Sequence, residues 1–334
     1  VLLLLVAAGI APLFRPLAGE HKQVNVTIPP GTSVAGIGEI LERHGIVRSG
    51  WAFGIYARLR GDASKLKAGT FRLSGDMSLG QIAQELRLAG AGFGDRVHVS
   101  VPEGYTLKQI AAALQQHGVC DAAEFLKIAT TPDVIAQIHA DFPLPHDSLE
   151  GYLYPDTYML KPHTAPLQVI DGMLLNFSNR FVRPYQHQID QSGESLHNIV
   201  TIASLVEREA KVPQDRARIA GVIVNRLKRG MKLEVDATVL YALGHHKDKV
   251  LYRDLEVKSP YNTYRHAGLP PGPIANPGLP CLEAALSPEK NDFIYYVAQP
   301  NGAHLFSRTP EEHQAAKREV RLERSQARGA ENGD

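Results

Sequence analysis

The sequence predicts an α+β protein in three parts: an N-terminal membrane anchor, a small subdomain and a larger mixed α/β domain. Three observations carry this. Strand-type alternation and helix-type periodicity interleave along the chain, with capping pairs at several helix starts. Glycines at 90, 92 and 94 punctuate it into unequal parts. With 334 residues, 44% of them hydrophobic, there is enough material for two cores.

The first 14 residues are an uncharged, Leu-rich run ended by Arg15 and Pro16. That is short of the roughly 20 residues a membrane span needs. The chain opens on Val1, so the run reads as the end of a longer apolar segment. No small-residue cleavage site follows it, and residues 1–20 are therefore expected to be a retained, truncated transmembrane anchor. Residues 23–28 alternate as a strand, stopped by Pro29, Pro30 and Gly31. Thr32 or Ser33 caps a helix with Val34, Ile37, Ile40 and Leu41 on one side. A second helix is predicted over 51–60, and KAGTFRL at 67–73 returns as a strand. Ser78 with Gln81 forms a capping box ahead of Ile82, Leu86 and Leu88. Together these make one unit over 21–95.

In the larger unit, residues 97–101 read as a strand, and Thr106 with Gln109 makes a second capping box. Helical stretches are predicted near 122–140, 166–185, 197–210 and 214–227. The aromatic EGYLYPDTY at 150–158 reads as strand or extended loop. After Gly230 loops dominate, with a short helix near 237–243. GLPPGPIANPG at 268–278 cannot be regular structure. A short helix at 282–286, a hairpin over 293–307 turning at Pro300-Asn301-Gly302, and a charged helix over 311–324 complete the order. The catalytic domain is placed at 96–324, and 325–334 is expected to be a disordered tail.

Basic and acidic residues nearly balance, 36 against 35, which argues against a nucleic-acid partner. Cys120 and Cys281 belong to no CxxC or Cys/His cluster. The histidines, including the pair His245-His246, form no HExxH, and no phosphate loop or GxSxG occurs. No metal and no organic cofactor is expected.

The sharpest site candidate is ASLVEREA at 203–210. It closes a helix that is apolar almost all round, leaving a polar strip near Thr201, Ser204 and Arg208. At about 100° per residue, Glu209 projects between Ile202 and Leu205, and Glu207 near Val200 and Ala203, about 160° apart. A carboxyl in apolar surroundings has its pKa raised, as a general acid at neutral pH requires. Geometry alone leaves both glutamates open; the alternative is that the helix ends here and both are solvated, paired with Arg208 or Lys211. Tyr261, Asn262, Thr263 and Tyr264 follow Ser259-Pro260 and precede the proline loop, offering rings and neutral hydrogen-bonding groups to a sugar. The bland alternative is a self-capped turn. Asp236 reads either as a site carboxylate or as an N-cap.

These segments resemble the YceG-like (MltG) endolytic murein transglycosylases. The resemblance rests on IPPGTS, KAGTFRL, VPEGYT, EGYLYPDTY, ASLVEREA, VNRLKRGMKLEVDATVLYALG, SPYNTY, GLPPGPIANPG and YYVAQPNGAHLFSRTPEEH, in that order. It implies a single-pass inner-membrane protein with its bulk outside the cytoplasm. Residues 21–95 would be a LysM-like subdomain. The activity implied is cleavage of the MurNAc–GlcNAc bond of nascent peptidoglycan strands to 1,6-anhydro-MurNAc ends, terminating elongation, with peptidoglycan synthases as partners. It selects Glu209 as the acid. Beside it, Asp236, Tyr261, Asn262, Thr263 and Tyr264 are the candidates for substrate binding, and Glu207, Ser204, Asn225 and His304 are secondary candidates. Three positions depart from the family pattern: Ala237 stands where a proline is usual, and Arg265-His266 replace smaller polar residues. The competing readings are a non-catalytic wall-binding scaffold and a pyridoxal-phosphate aminodeoxychorismate lyase. For the latter the sequence offers no lysine in a suggestive setting.

Overall fold

A computed structural model describes residues 23–88, 96–244, 247 and 250–331. The apolar start at 1–20, the glycines at 90, 92 and 94, and His245-His246 lie outside the described residues. Among the described residues no helix is long and apolar enough to cross a membrane. The chain divides between Val97 and His98 into two compact units.

The first unit opens with β1 (Gln23–Ile28), paired antiparallel with β2 (Gly69–Ser74) from Gln23↔Ser74 to Ile28↔Gly69. Between them lie α1 (Val34–Arg43) and α2 (Gly50–Leu59). Of the two capping candidates it is Ser33 that accepts from Gly36 N, at 3.2 Å. Helices α1 and α2 approach closely where Gly38 meets Gly50: a Cβ on Gly38 would lie 2.2 Å from the Gly50 carbonyl oxygen. Then α3 (Leu79–Leu88) starts at the Ser78–Gln81 box, with bonds of 2.9 and 3.3 Å. Strands and helices close over Val26, Ile37, Leu41, Phe53, Phe71 and Ile82, all buried.

In the second unit β3 (Val97–Ser100) pairs with β4 (Thr157–Leu160). The Thr106–Gln109 box opens α4 (Leu107–Gln116). The single helical stretch predicted over 122–140 is instead α5 (Ala122–Thr130) and the one-turn α6 (Pro132–Ile135). The break falls at Pro132, whose ring removes an amide hydrogen and disfavours helix before it. Conversely, the helix predicted to end at 185 continues. Following α7 (Pro166–Phe177), a π-turn at Ser178–Val182 leads into α8 (Arg183–Ser192), which stops at left-handed Gly193.

The middle of this unit is α9 (Leu196–Glu209), packed against α10 (Arg216–Lys228) and α12 (Leu279–Leu286). Its residues Ile199 to Val206 are all buried, as an all-round apolar helix demands. A 3-10 turn (Pro213–Asp215) links α9 to α10. The short α11 (Asp236–Leu243) and a second 3-10 turn (Tyr252–Glu256) precede the proline loop. Strands β5 (Tyr295–Ala298) and β6 (His304–Ser307) form the hairpin, and α13 (Pro310–Glu331) closes the described chain. This helix runs past Arg324, so residues 325–331 are helical rather than a disordered tail; Arg, Gln and Ala are strong helix formers. Both cysteines are free thiols.

Candidate active site

Within the polar strip of α9, Ser204 docks the proline loop. Ser204 Oγ donates to the Thr201 carbonyl at 2.7 Å and accepts from Ile274 N at 3.0 Å. Ser204 is therefore a buried brace, its hydroxyl both donating and accepting within the protein. The loop is held from its other side by Asn276, which donates to the Tyr105 carbonyl and to Glu150 Oε1, both at 2.9 Å. Glu150 is itself buried and accepts from Leu107 N at 3.0 Å and from Tyr241 OH at 3.3 Å. Burial raises its pKa to about 8 against the pull of those donors.

Helical geometry sends the two glutamates of ASLVEREA to different neighbours. Glu207 Oε2 accepts from Gly278 N at 3.0 Å, at the N-cap of α12, so its carboxylate satisfies a helix start. The intervening Arg208 reaches the Gly104 carbonyl at 3.4 Å. Glu209, the last residue of α9, turns toward the hairpin, where Tyr296 OH donates to its Oε2 at 3.3 Å. It remains partly open to solvent while protein crowds its carboxyl. That crowding, with the Asp236 charge adding to it, raises its pKa from 4.5 to about 7; the Tyr296 bond and Arg208 pull the other way. A group so placed holds a proton near neutrality and can release it, as an acid that must later act as base requires.

Asp236 is not the N-cap of α11. Val235 occupies that position, and Asp236 is the first helical residue. Its carboxylate is exposed and accepts from Tyr264 OH at 2.5 Å. Burial and the Asp236 bond push the Tyr264 hydroxyl well above its ordinary range, so it stays a donor. The loop before α11 is clamped by buried Arg226, whose Nη1 donates to the Lys232 and Leu233 carbonyls at 3.0 and 2.9 Å. Its Nε donates to the Ile294 carbonyl at 2.6 Å. One side chain thus fixes the approaches to both Asp236 and Tyr296. Glu234, held at φ 55°, turns the chain just before Asp236, a left-handed conformation that non-glycine residues rarely adopt.

The YNTY residues divide by role. Asn262 and Thr263 are 0% and 1% exposed. Asn262 Nδ2 donates to the Leu255 and Val257 carbonyls at 2.8 and 2.9 Å, and Thr263 Oγ1 accepts from Val235 N at 3.0 Å. Neither presents a free group to a substrate, so they shape the site from behind, nearer the self-capped turn than a sugar contact. Tyr261 is half-buried with its ring 4.9 Å from Tyr241. Of the four, Tyr264 bonds to a site carboxylate, that of Asp236. Asn225 donates to the Asn291 and Phe293 carbonyls at 2.8 and 2.9 Å and ties α10 to the hairpin entry. His304 is buried in the hairpin against Asp215.

The structure thus gathers Glu209, Asp236 and Tyr264, and adds Tyr296, Arg226 and Asp215, to which the sequence assigned no role. Their signal was weak: an Arg inside a helical run and a Tyr at a strand start are ordinary core residues. A cavity of about 460 Å³ lies beside this cluster, walled by Arg208, Ala237, Tyr241 and Glu150 but not by Glu209. Cavity volume therefore does not mark this carboxyl. Among the described residues no group of His, Cys, Asp and Glu is arranged to hold a metal ion.

Residues 26–319 match the YceG-like family. The endolytic murein transglycosylase of Bacillus subtilis (strain 168) is 39% identical over 317 residues, covering 91% of this chain and 87% of that protein. That of Streptococcus pneumoniae (strain D39) is 34% identical over 321 residues, covering 89% of this chain and 58% of that protein. The 2.6 Å crystal structure of a YceG-like protein from Listeria monocytogenes superposes with a TM-score of 0.61. Its identity is 37%, and the match covers 89% of this chain and 99% of that one.

Proposed function

Because the chain belongs to the YceG-like family, we propose that it cleaves peptidoglycan glycan strands through Glu209. It is an endolytic murein transglycosylase, as its relatives' names say of them, and it acts as a lytic enzyme. The observation that carries the assignment of the acid is the raised carboxyl of Glu209, crowded by protein, repelled by Asp236 and held by Tyr296.

One such carboxyl suffices for the reaction. Protonated Glu209 gives its proton to the oxygen between MurNAc and GlcNAc, and the bond to the MurNAc anomeric carbon breaks. The resulting carboxylate takes the proton of the MurNAc 6-hydroxyl, which closes on the anomeric carbon. A 1,6-anhydro end forms and no water is consumed, unlike the paired-carboxylate hydrolases. Asp236, exposed beside the acid, carries negative charge toward the developing oxocarbenium ion. Glu207, committed to Gly278 N, takes no part.

Mass analysis of products from intact sacculi tests this reading. Glu209-dependent strands ending in 1,6-anhydro-MurNAc support it. Reducing MurNAc ends would make the enzyme a hydrolase, and no product at all would leave a wall-binding scaffold.

The uncharged start of the sequence supports a retained anchor and a catalytic unit outside the membrane, where nascent strands leave their synthases. The β–α–α–β order of the first unit, with its strands paired antiparallel, supports a LysM-like wall-binding role. A version lacking residues 1–20 should cleave purified strands but fail to shorten glycan in cells; equal action in cells would remove the anchor from the account.

A further inference from the structure

Six residues past the acid, Asp215 ends the 3-10 turn at 5% exposure. Among the described residues, both hydrogen bonds to its carboxylate come from His304: the backbone N at 2.8 Å and Nδ1 at 2.9 Å. An ionised carboxylate only accepts, which assigns a hydrogen to Nδ1 and fixes the ring's orientation. A buried charge is costly unless so paired, and a hairpin needs no such pair merely to close.

The fixed ring has one evident beneficiary. His304 and Phe306 lie two apart on β6, so they share a face, and Tyr296 is the cross-strand partner of Phe306. His304 therefore sits diagonal to Tyr296 on that face. Its ring meets the Tyr296 ring edge-on, with centroids 5.4 Å apart and planes at 85°. Phe306 backs both rings at 6.2 Å, with the Arg218 guanidinium 5.2 Å over it. Tyr296 OH then donates to Glu209. The contacts close a ring: from Glu209 along the chain to Asp215, across to His304, onto Tyr296 and back to Glu209.

We propose that Asp215 and His304 are positioning residues for the acid, holding Tyr296 where its hydroxyl fixes the Glu209 carboxyl. This rests on Glu209 being the acid. The polar groups acting on that carboxyl from each side are Arg208 on α9, Asp236 on α11, Tyr264 on the loop and Tyr296 on β5. Arg226 of α10 acts on Tyr296. Of these, Tyr296 is the one whose place the buried pair sets.

The test is kcat against pH on peptide-free glycan strands for wild type, Tyr296→Phe, His304→Gln, Asp215→Asn and the double variant Tyr296→Phe with Asp215→Asn. The Tyr296 donor favours the ionised carboxyl, so removing it should move the falling, high-pH limb upward. A hydrogen bond that strengthens as its acceptor ionises corresponds here to roughly half to one pH unit. Asp215→Asn and His304→Gln should move the limb the same way by less, with KM unchanged. The double variant should move it no further than Tyr296→Phe alone. A merely structural pair would lower yield, melting temperature or kcat at every pH and leave the limb in place, and that result overturns the proposal. So would independent, multiplying effects in the double variant. Tyr296→Phe removes one oxygen and keeps the ring, so the limb can be read even if a buried-pair variant fails to fold. Cleavage by Glu209→Gln at the wild-type rate would instead defeat the assignment of the acid itself.

Discussion

Replacing Glu209 with Gln should cost the enzyme its activity and give it stability, the second only at high pH. The raised carboxyl provides the magnitude. A rise from 4.5 to about 7, at about 1.4 kcal/mol per pKa unit, amounts to roughly 3 kcal/mol against ionisation in the folded state. Below pH 4.5 the carboxyl is protonated folded and unfolded, and Glu and Gln should differ only by a constant offset. Between pH 4.5 and 7 the unfolded chain ionises first, the native state binds more protons, and wild-type stability falls as pH rises. Above about pH 7 the full cost is present in the wild type and absent in the variant. The Gln side chain keeps an oxygen for the Tyr296 hydroxyl, so little packing is lost. Denaturant unfolding of both proteins from pH 4 to pH 8, followed at the transition of the second unit, measures the difference. It should grow by up to roughly 3 kcal/mol over that range, while strand cleavage drops by about 10²–10⁴-fold or more. A stability difference that stays flat with pH would show that the carboxyl is not held protonated, and the reasoning that selects it would fall.

Asp236→Asn removes the negative charge that helps keep Glu209 protonated. The high-pH limb of kcat should move to lower pH, and kcat should fall at least about tenfold; an upward move would mean that Asp236 does not act on this carboxyl. Glu207→Gln retains an acceptor for Gly278 N. Turnover should stay within a few-fold of wild type, and denaturant stability should fall by about 1 kcal/mol; inactivity equal to that of Glu209→Gln would exchange their roles. Gly38→Ala drives a methyl into the Gly50 carbonyl. It should destabilise the first unit by about 1–3 kcal/mol, read as an earlier melting step, with cleavage of short soluble strands by the second unit retained.

Much of this protein is legible in its sequence because the signals are local. Ser33, Ser78 with Gln81, and Thr106 with Gln109 mark helix starts through bonds made within four residues, and each cap forms where its residues stand. The direction of the two glutamates is equally local: two residues along a helix separate them by more than a right angle, whatever the rest of the chain does. The proline-rich segment at 268–278 could only be irregular.

What each polar group finally touches depends on residues far along the chain. Asn262 and Thr263 have the chemistry of sugar ligands, yet backbone groups of the neighbouring loop and of α11's start consume it. Asp236 reads in sequence as a site carboxylate or an N-cap, and Tyr264, 28 positions on, claims its carboxylate. Tyr296 lies 87 positions from Glu209, and His304 lies 89 from Asp215. The apolar pattern of α9 sets a carboxyl at its end on an apolar face but leaves a solvated helix end equally open. Only the folding of the hairpin across that end decides which carboxyl is held by a tyrosine and which caps a helix. Periodicity is a property of neighbours in sequence, whereas a raised pKa depends on every charge, donor and apolar wall that the fold brings near.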